Sequence, residues 1–196
     1  MKKIFLALTI LVLTFSTRII ADTSSPIKQI YEGNEDAKVT IITYESLTCG
    51  HCADFHKNVY PQLKKEFIDT NLVKIEFRHF PLDAAALNAS KIAQCRNDGK
   101  PDLLHFLFLN QKKWVIGETV EATNENLKKL LKDENIVIDF EKCTNNKNIE
   151  DYVLNDRIEG VKKFKVNATP TIIINNKKFD KPLNYKNLKK SIEKLI

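Results

Sequence analysis

Val39-Thr40-Ile41-Ile42-Thr43-Tyr44-Glu45-Ser46-Leu47-Thr48-Cys49-Gly50-His51-Cys52 is the stretch on which the reading of this chain turns. Val39 to Tyr44 is an apolar, β-branched run of the kind that forms a strand buried on both faces. From Cys49 a helical period takes over, with Phe55, Val59, Leu63 and Phe67 on one stripe. Pro61 falls inside that helix and is expected to kink it. A close pair of cysteines therefore stands where a buried strand turns into a helix.

Working outward, Leu72 to Phe80 alternates Val73, Ile75, Phe77 and His79 with Lys74, Glu76 and Arg78, which predicts a strand closed by Pro81. Strand, helix and strand make a right-handed βαβ unit. Before it, Ile27 to Tyr31 predicts a short edge strand. After it, residues 84–147 read as a helical block, with helices over Ala84 to Cys95, Pro101 to Trp114 (proline at the first helical position) and Glu125 to Lys132. A further helix, Ile149 to Phe164, places Leu154, Ile158 and Val161 on one face. Thr171 to Ile174 and Lys177 to Phe179 read as a hairpin around Asn175-Asn176, residues that tolerate positive φ, and Asn184 to Leu195 as a closing helix.

At the N-terminus, Lys2 and Lys3 precede the apolar stretch Ile4 to Phe15 and a short segment ending at Ala21, which predicts a signal peptide over 1–21 and export. An uncleaved anchor over Ile4 to Ala21 is the minor alternative. A bacterial periplasm fits this pattern best. Cleavage lowers the formal charge from +6 to +3, and the remaining lysines fall largely on solvated helix faces. No nucleic acid is expected as a partner.

The order strand, helix, strand, helical block, helix, strand, strand, helix is α/β: a thioredoxin βαβ–αββα plan interrupted by helices. Thr43 to Cys52, together with Ala168-Thr169-Pro170-Thr171-Ile172, resembles the DsbA-like thiol–disulfide oxidoreductases, thioredoxin folds with an inserted all-helical subdomain. On that reading residues 22–83 and 148–196 form the thioredoxin domain and 84–147 the insertion. The resemblance implies that the Thr169-Pro170 loop lies against the cysteine pair with a cis peptide, Thr169 presenting its backbone to an extended substrate and its hydroxyl approaching Cys49. It also implies reoxidation by a membrane quinone-linked oxidase of the DsbB type. Substrates would be reduced, folding exported proteins; no cofactor is implied, and a monomer is expected.

Disulfide exchange needs a thiolate, and an ordinary cysteine is mostly protonated at neutral pH. Cys49 opens a helix, where unpaired N–H groups and the helix dipole stabilise its anion. It is expected to be the exposed, attacking cysteine, with Cys52, nearly a turn on, as its buried, resolving partner. A partly protonated His51 would add positive charge, and Gly50 would let the backbone turn tightly. The Gly50-His51 pair resembles that of protein disulfide isomerases, whereas many DsbA-like proteins have Pro-His, so a milder oxidant is expected. Thioredoxins carry a buried acid where this chain has Thr43; Glu45, two residues on, reads as an exposed strand-end carboxylate rather than a proton relay for Cys52.

Cys95 and Cys143 have three readings: a structural disulfide across the block, which leads, two buried free thiols, or a second redox relay. Zinc on the CxxC pair with His56 is the weaker use of that motif, because no second ligand pair follows, and no metal is expected. His79, His105 and Trp114 read as ordinary packing. An isomerase or reductase kept reduced by another pathway, and a peptide-binding chaperone with an incidental disulfide, are the competing functions.

Overall fold

A computed structural model describes residues 26–196; the signal peptide read over residues 1–21 lies outside the described residues. A mixed sheet runs in the order β1-β3-β2-β4-β5. Its strands are β1 (Ile30–Glu32), β2 (Val39–Glu45), β3 (Val73–His79), β4 (Thr171–Ile174) and β5 (Lys177–Lys178). β2 and β3 are parallel, with Ile41 opposite Ile75. The other neighbours are antiparallel.

A parallel pair needs a crossover, and the helical run 50–68 supplies it. The run is built from α1 (Gly50–Asp54) and α2 (Tyr60–Leu63), each followed by a π-turn, Phe55–Val59 and Lys64–Ile68. Tyr60 N–H reaches back to Phe55 O, so the wider turn is in place just before Pro61, whose missing N–H would interrupt a regular helix. Sheet residues alternate between two layers. Ile41, Ile75, Phe77, Ile172 and Ile174 pack with Phe55, Leu63 and Phe67 of the crossover, while Tyr44 and Ile173 pack with Phe80, Phe164 and Val166 on the other side. Strand regularity puts Thr43 and Glu45 on the crossover side with Ile41.

Between β3 and the last helices lie α3 (Ala84–Gln94), α4 (Asp102–Leu109), α5 (Gln111–Trp114), α6 (Val120–Asp133) and α7 (Phe140–Thr144). The single helix expected over Pro101 to Trp114 divides at Asn110, and Pro101 is the N-cap of α4 rather than its first residue. The short α7 had no periodic signal. Cys95 and Cys143 are disulfide-bonded, fastening the end of α3 to α7. Trp114 is fully buried, with its indole N–H donated to Leu107 O at 3.0 Å.

α8 (Lys147–Phe164) corrects the expected stripe. Ile158 and Val161 are 46% and 45% exposed; the packed residues are Ile149, Val153, Asp156, Gly160 and Phe164. Asp156 sets this face, because its carboxylate accepts from Arg78 Nη1 and from the His79 backbone N–H, both at 3.0 Å. Gly160 permits it: a Cβ there would lie 2.7 Å from Cε1 of Tyr44. In the hairpin, Asn175 and Asn176 take φ values of 43° and 66°, as their residue type allows. α9 (Tyr185–Ile192) is capped by Asn184, which accepts from Asn187 N–H at 2.9 Å.

Two stability predictions follow from these contacts. Gly160→Ala should lower stability by about 1–3 kcal/mol, seen as a lower denaturant midpoint at unchanged slope, because the helix has to move away from Tyr44. Replacing Cys95 and Cys143 together by Ala should cost on the order of 4 kcal/mol in the chain-entropy account of their loop.

Candidate active site

β2 ends at Glu45, and a short connection brings Cys49 to the N-cap of α1, with φ −80° and ψ 117°. Cys49 N–H donates to Ser46 O at 3.0 Å, while Cys49 O accepts from Cys52 and Ala53 N–H at 3.1 and 3.2 Å. Two groups outside the motif hold this corner. Gln111 Nε2 donates to Leu47 O at 2.8 Å and Cys49 O at 3.0 Å, and Thr48 Oγ1 donates to Asp83 Oδ2 at 2.7 Å. Asp83 also caps α3 through Ala86 N–H. The helical block is thereby tied to the cysteine loop at both of its edges. Sequence reasoning missed Gln111, because a polar residue in an apolar helical stretch does not reveal whose carbonyl it meets.

Thr169-Pro170 is a cis peptide. It stands against the pair: Cys49 Sγ donates to Thr169 O at 3.3 Å. Thr169 Oγ1 is buried without a partner, so its hydroxyl is available to the sulfur once Cys49 ionises. Cys49 and Cys52 are both free thiols, the first half-buried rather than exposed, the second fully buried.

The two thiols are driven apart. Cys49 is lowered to about 5, chiefly because the Cys52 thiol donates to its anion; the Thr169 hydroxyl and the Cys52 and His51 backbone N–H groups add to this, against a desolvation cost. Cys52 is raised, first by burial, then by its role as donor to Cys49 and by the Glu45 carboxylate. One sulfur is a stable anion at neutral pH, and its neighbour keeps its proton.

Gly50 and Glu45 both depart from expectation. Gly50 does not adopt positive φ, and a Cβ there would meet nothing within 4 Å; what glycine leaves is open space over the pair rather than a tight turn. The His51 backbone N–H is among the groups that stabilise the Cys49 anion, and its side chain is exposed. Glu45 is 4% exposed, not a surface carboxylate, because β2 stays regular to its last residue and turns that side chain under the crossover. Its Oε2 is 2.9 Å from His56 Nε2, which engages His56 in a side-chain pair rather than leaving it beside the cysteines. Among the described residues no cluster of His, Cys, Asp or Glu is arranged to hold a metal ion.

A cavity of about 500 Å³ opens beside the pair, lined by His51, Phe55, Val59, Thr169, Pro170 and Leu183 among others. Phe55, Val59, Pro170 and Leu183 give it an apolar part, Asp54, Asn58 and Asn184 a polar one, and the cis-proline loop forms one side.

The thioredoxin family model matches residues 25–194, and the crystal structure of Wolbachia pipientis alpha-DsbA1 superposes with a TM-score of 0.74 at 30% identity, over 85% of this chain and 90% of that one. The chain is a DsbA-like member of the thioredoxin family. A putative protein-disulfide oxidoreductase of Rickettsia bellii is 36% identical over 117 residues, 53% of this chain and 45% of that protein. The chain spans about half the length of the rickettsial relatives it matches. Disulfide bond formation protein D of Bacillus subtilis is 28% identical over 179 residues, 83% of this chain and 74% of that protein. The sheet order and the inserted helices of this DsbA-like chain are those of a thioredoxin fold with a helical domain.

The ionisation of this DsbA-like pair is directly measurable. Thiolate absorbance of the reduced protein should titrate with a midpoint near pH 5, and Cys52→Ala should move it up toward the ordinary thiol value, since the leading donor is gone. A folded pKa below the unfolded one stabilises the reduced form at high pH. That extra stability is fully present above the ordinary thiol pKa and disappears as pH falls through about 5, so the denaturation midpoint of the reduced protein should fall in that window.

Proposed function

We propose that this protein is an exported protein-disulfide oxidoreductase that introduces disulfide bonds into folding proteins through Cys49 and Cys52. The observation that carries the proposal is the divergence of the two thiols: a lowered Cys49 beside a raised Cys52.

In the oxidised enzyme a substrate thiolate attacks Cys49 Sγ, forming a mixed disulfide and breaking the Cys49–Cys52 bond. Cys52 leaves as an anion and takes up a proton. The substrate's second thiolate then attacks its own sulfur in the mixed disulfide and expels Cys49 as a thiolate. Two electrons pass from substrate to enzyme. The low pKa of Cys49 makes it the better leaving group at this step, which favours oxidation of the substrate. Thr169 would offer its backbone to an extended peptide, and the cavity by Pro170, with Phe55, Val59 and Leu183 in its wall, would take a neighbouring side chain.

Residues 22–83 and 148–196 would act as the thioredoxin domain and 84–147 as an inserted subdomain that positions the cysteine loop. The periplasm is the compartment that fits, supported by Lys2-Lys3 with the apolar stretch after them and by a Cys95–Cys143 bond that an oxidising environment preserves. Among the described residues no helix is long and apolar enough to cross a membrane. A monomer reoxidised by a membrane quinone-linked oxidase of the DsbB type completes the cycle.

Oxidative refolding of a reduced multi-cysteine protein should be accelerated by the wild type, abolished in Cys49→Ser, and halted at a trapped mixed disulfide in Cys52→Ser. Aggregation suppression that survives loss of both cysteines, without oxidation by the wild type, would favour a chaperone instead. Equilibration with glutathione should return a potential between about −120 and −240 mV; a lower value would point to a reductase.

A further inference from the structure

A second buried cluster of ionisable groups lies behind the cysteine pair, and disulfide exchange as described does not use it. Glu45 Oε2 is 2.9 Å from His56 Nε2, and His56 Nδ1 is 2.8 Å from His105 Nδ1. These residues come from three elements: the end of β2, the π-turn after α1, and α4. His56 is stacked on Phe108, with centroids 4.1 Å apart, and touches Phe77 and Tyr60, so its ring has no freedom to turn away. The two ends of the chain are open: Glu45 Oε1 and His105 Nε2 are both buried and have no partner. At the Glu45 end stands Cys52, buried on α1 in the crossover that covers the face of β2 to which Glu45 turns. At the His105 end is a cavity of about 360 Å³ bordered by His56, Tyr60, Lys64, His105 and Leu109.

We propose that Glu45, His56 and His105 form a proton path between Cys52 and the cavity beside His105. The proposal rests on the thiol–disulfide reading of the pair. When the Cys49–Cys52 bond is broken, the Cys52 anion is created in a buried site, and it needs a proton there. When the enzyme is reoxidised, Cys52 has to lose that proton before its sulfur can attack the mixed disulfide on Cys49.

Two hydrogen placements satisfy the same distances. In one, Glu45 is a carboxylic acid donating to His56 Nε2, His56 Nδ1–H donates to His105 Nδ1, and His105 Nε2 carries a hydrogen. In the other, Glu45 is a carboxylate accepting from His56 Nε2–H, His105 Nδ1–H donates to His56 Nδ1, and His105 Nε2 is bare. Passing from the first to the second moves one proton along each link and delivers one at His105 Nε2. During reoxidation the acid hands its proton to His56 and water takes one from His105, which leaves Glu45 a carboxylate that then takes the proton of Cys52–SH. During substrate oxidation the sequence reverses.

No histidine cation is required, which suits the surroundings. His105 is held neutral, lowered to about 3 by burial first, then by His56 and Lys64. The other titratable groups around the path are Cys49 at the N-cap of α1, Cys52 on α1, Tyr60 on α2, Lys64 after it, His79 on β3 opposite Glu45, and Lys57, Lys65 and Asp69, which border the cavity with His105. His79 is itself kept neutral by burial and engaged with Gln94, and Tyr60 is bonded to Glu32. Neither offers a competing exit.

The test reads the step that needs Cys52 ionised: closure of the Cys49 mixed disulfide with glutathione, followed by rapid quench in the full-length reduced protein. His105→Ala and His105→Gln should slow closure by about tenfold or more, as loss of a positioned acid–base group does, while the Cys49 absorbance midpoint stays where it is in the wild type. Added imidazole should restore His105→Ala, which leaves room for it, and not His105→Gln. The wild type should show a solvent deuterium isotope effect on closure that His105→Ala regains only with imidazole. Closure at the wild-type rate in both variants, or slow closure that imidazole leaves unchanged in both, would overturn the path. A wild type that forms no disulfide in a substrate protein would instead overturn the reading of the pair on which the path depends.

Discussion

A thiolate and a thiol have to be kept a few ångströms apart without sharing one proton equally, and the rest of this structure is arranged around that requirement. Cys49 sits where a helix begins, so backbone N–H groups and the Cys52 thiol converge on its anion. Cys52 sits one turn further in, where the crossover packs onto the sheet and no water competes for its hydrogen. Rotating the helix would expose Cys52, and drawing back the Thr169-Pro170 loop would uncover Cys49. The parallel β2–β3 pair fixes the first, and the antiparallel β2–β4 pairing, which ends at Tyr44 opposite Thr171, fixes the second.

The inserted helices do more than enlarge the core. Gln111 holds two carbonyls of the cysteine loop, and Asp83 holds its threonine while starting α3. The Gln111 bond to Leu47 O is buried, where an unpaired carbonyl would be costly, so the loop conformation and the packing of the block depend on one another.

Much of this was legible in the residues. Val39 to Tyr44 and Thr171 to Ile174 announce buried strands because few other structures bury so many β-branched residues in succession, and the strand-to-helix position of Cys49 follows from where the two periods meet. The packed face of α8 was not legible: its stripe is chosen by a buried Asp156 and by Gly160, which hydrophobic periodicity counts as non-core. Glu45 was misread for the same reason, since a carboxylate at a strand end is ordinarily solvated and only the tertiary fold supplies His56. His105 lies 49 residues from His56 along the chain, so nothing local in either segment foretells their contact. Gly50 shows the opposite error, a glycine credited with a backbone role that its φ does not require.

The Cys95–Cys143 bond has a consequence for how the protein comes into being. A chain that carries a disulfide away from its working pair leaves the ribosome as a client of the reaction proposed for its mature form. Each new copy must have two thiols joined across a 48-residue separation before α3 and α7 are fastened, and the wrong partners, Cys49 or Cys52, are within the same chain. In the folded protein Cys143 is buried against the block and Cys52 beneath the crossover, so the two pairs end apart. Under the proposed function, finished molecules would hasten the completion of unfinished ones, and the first to be made would depend on some other oxidant.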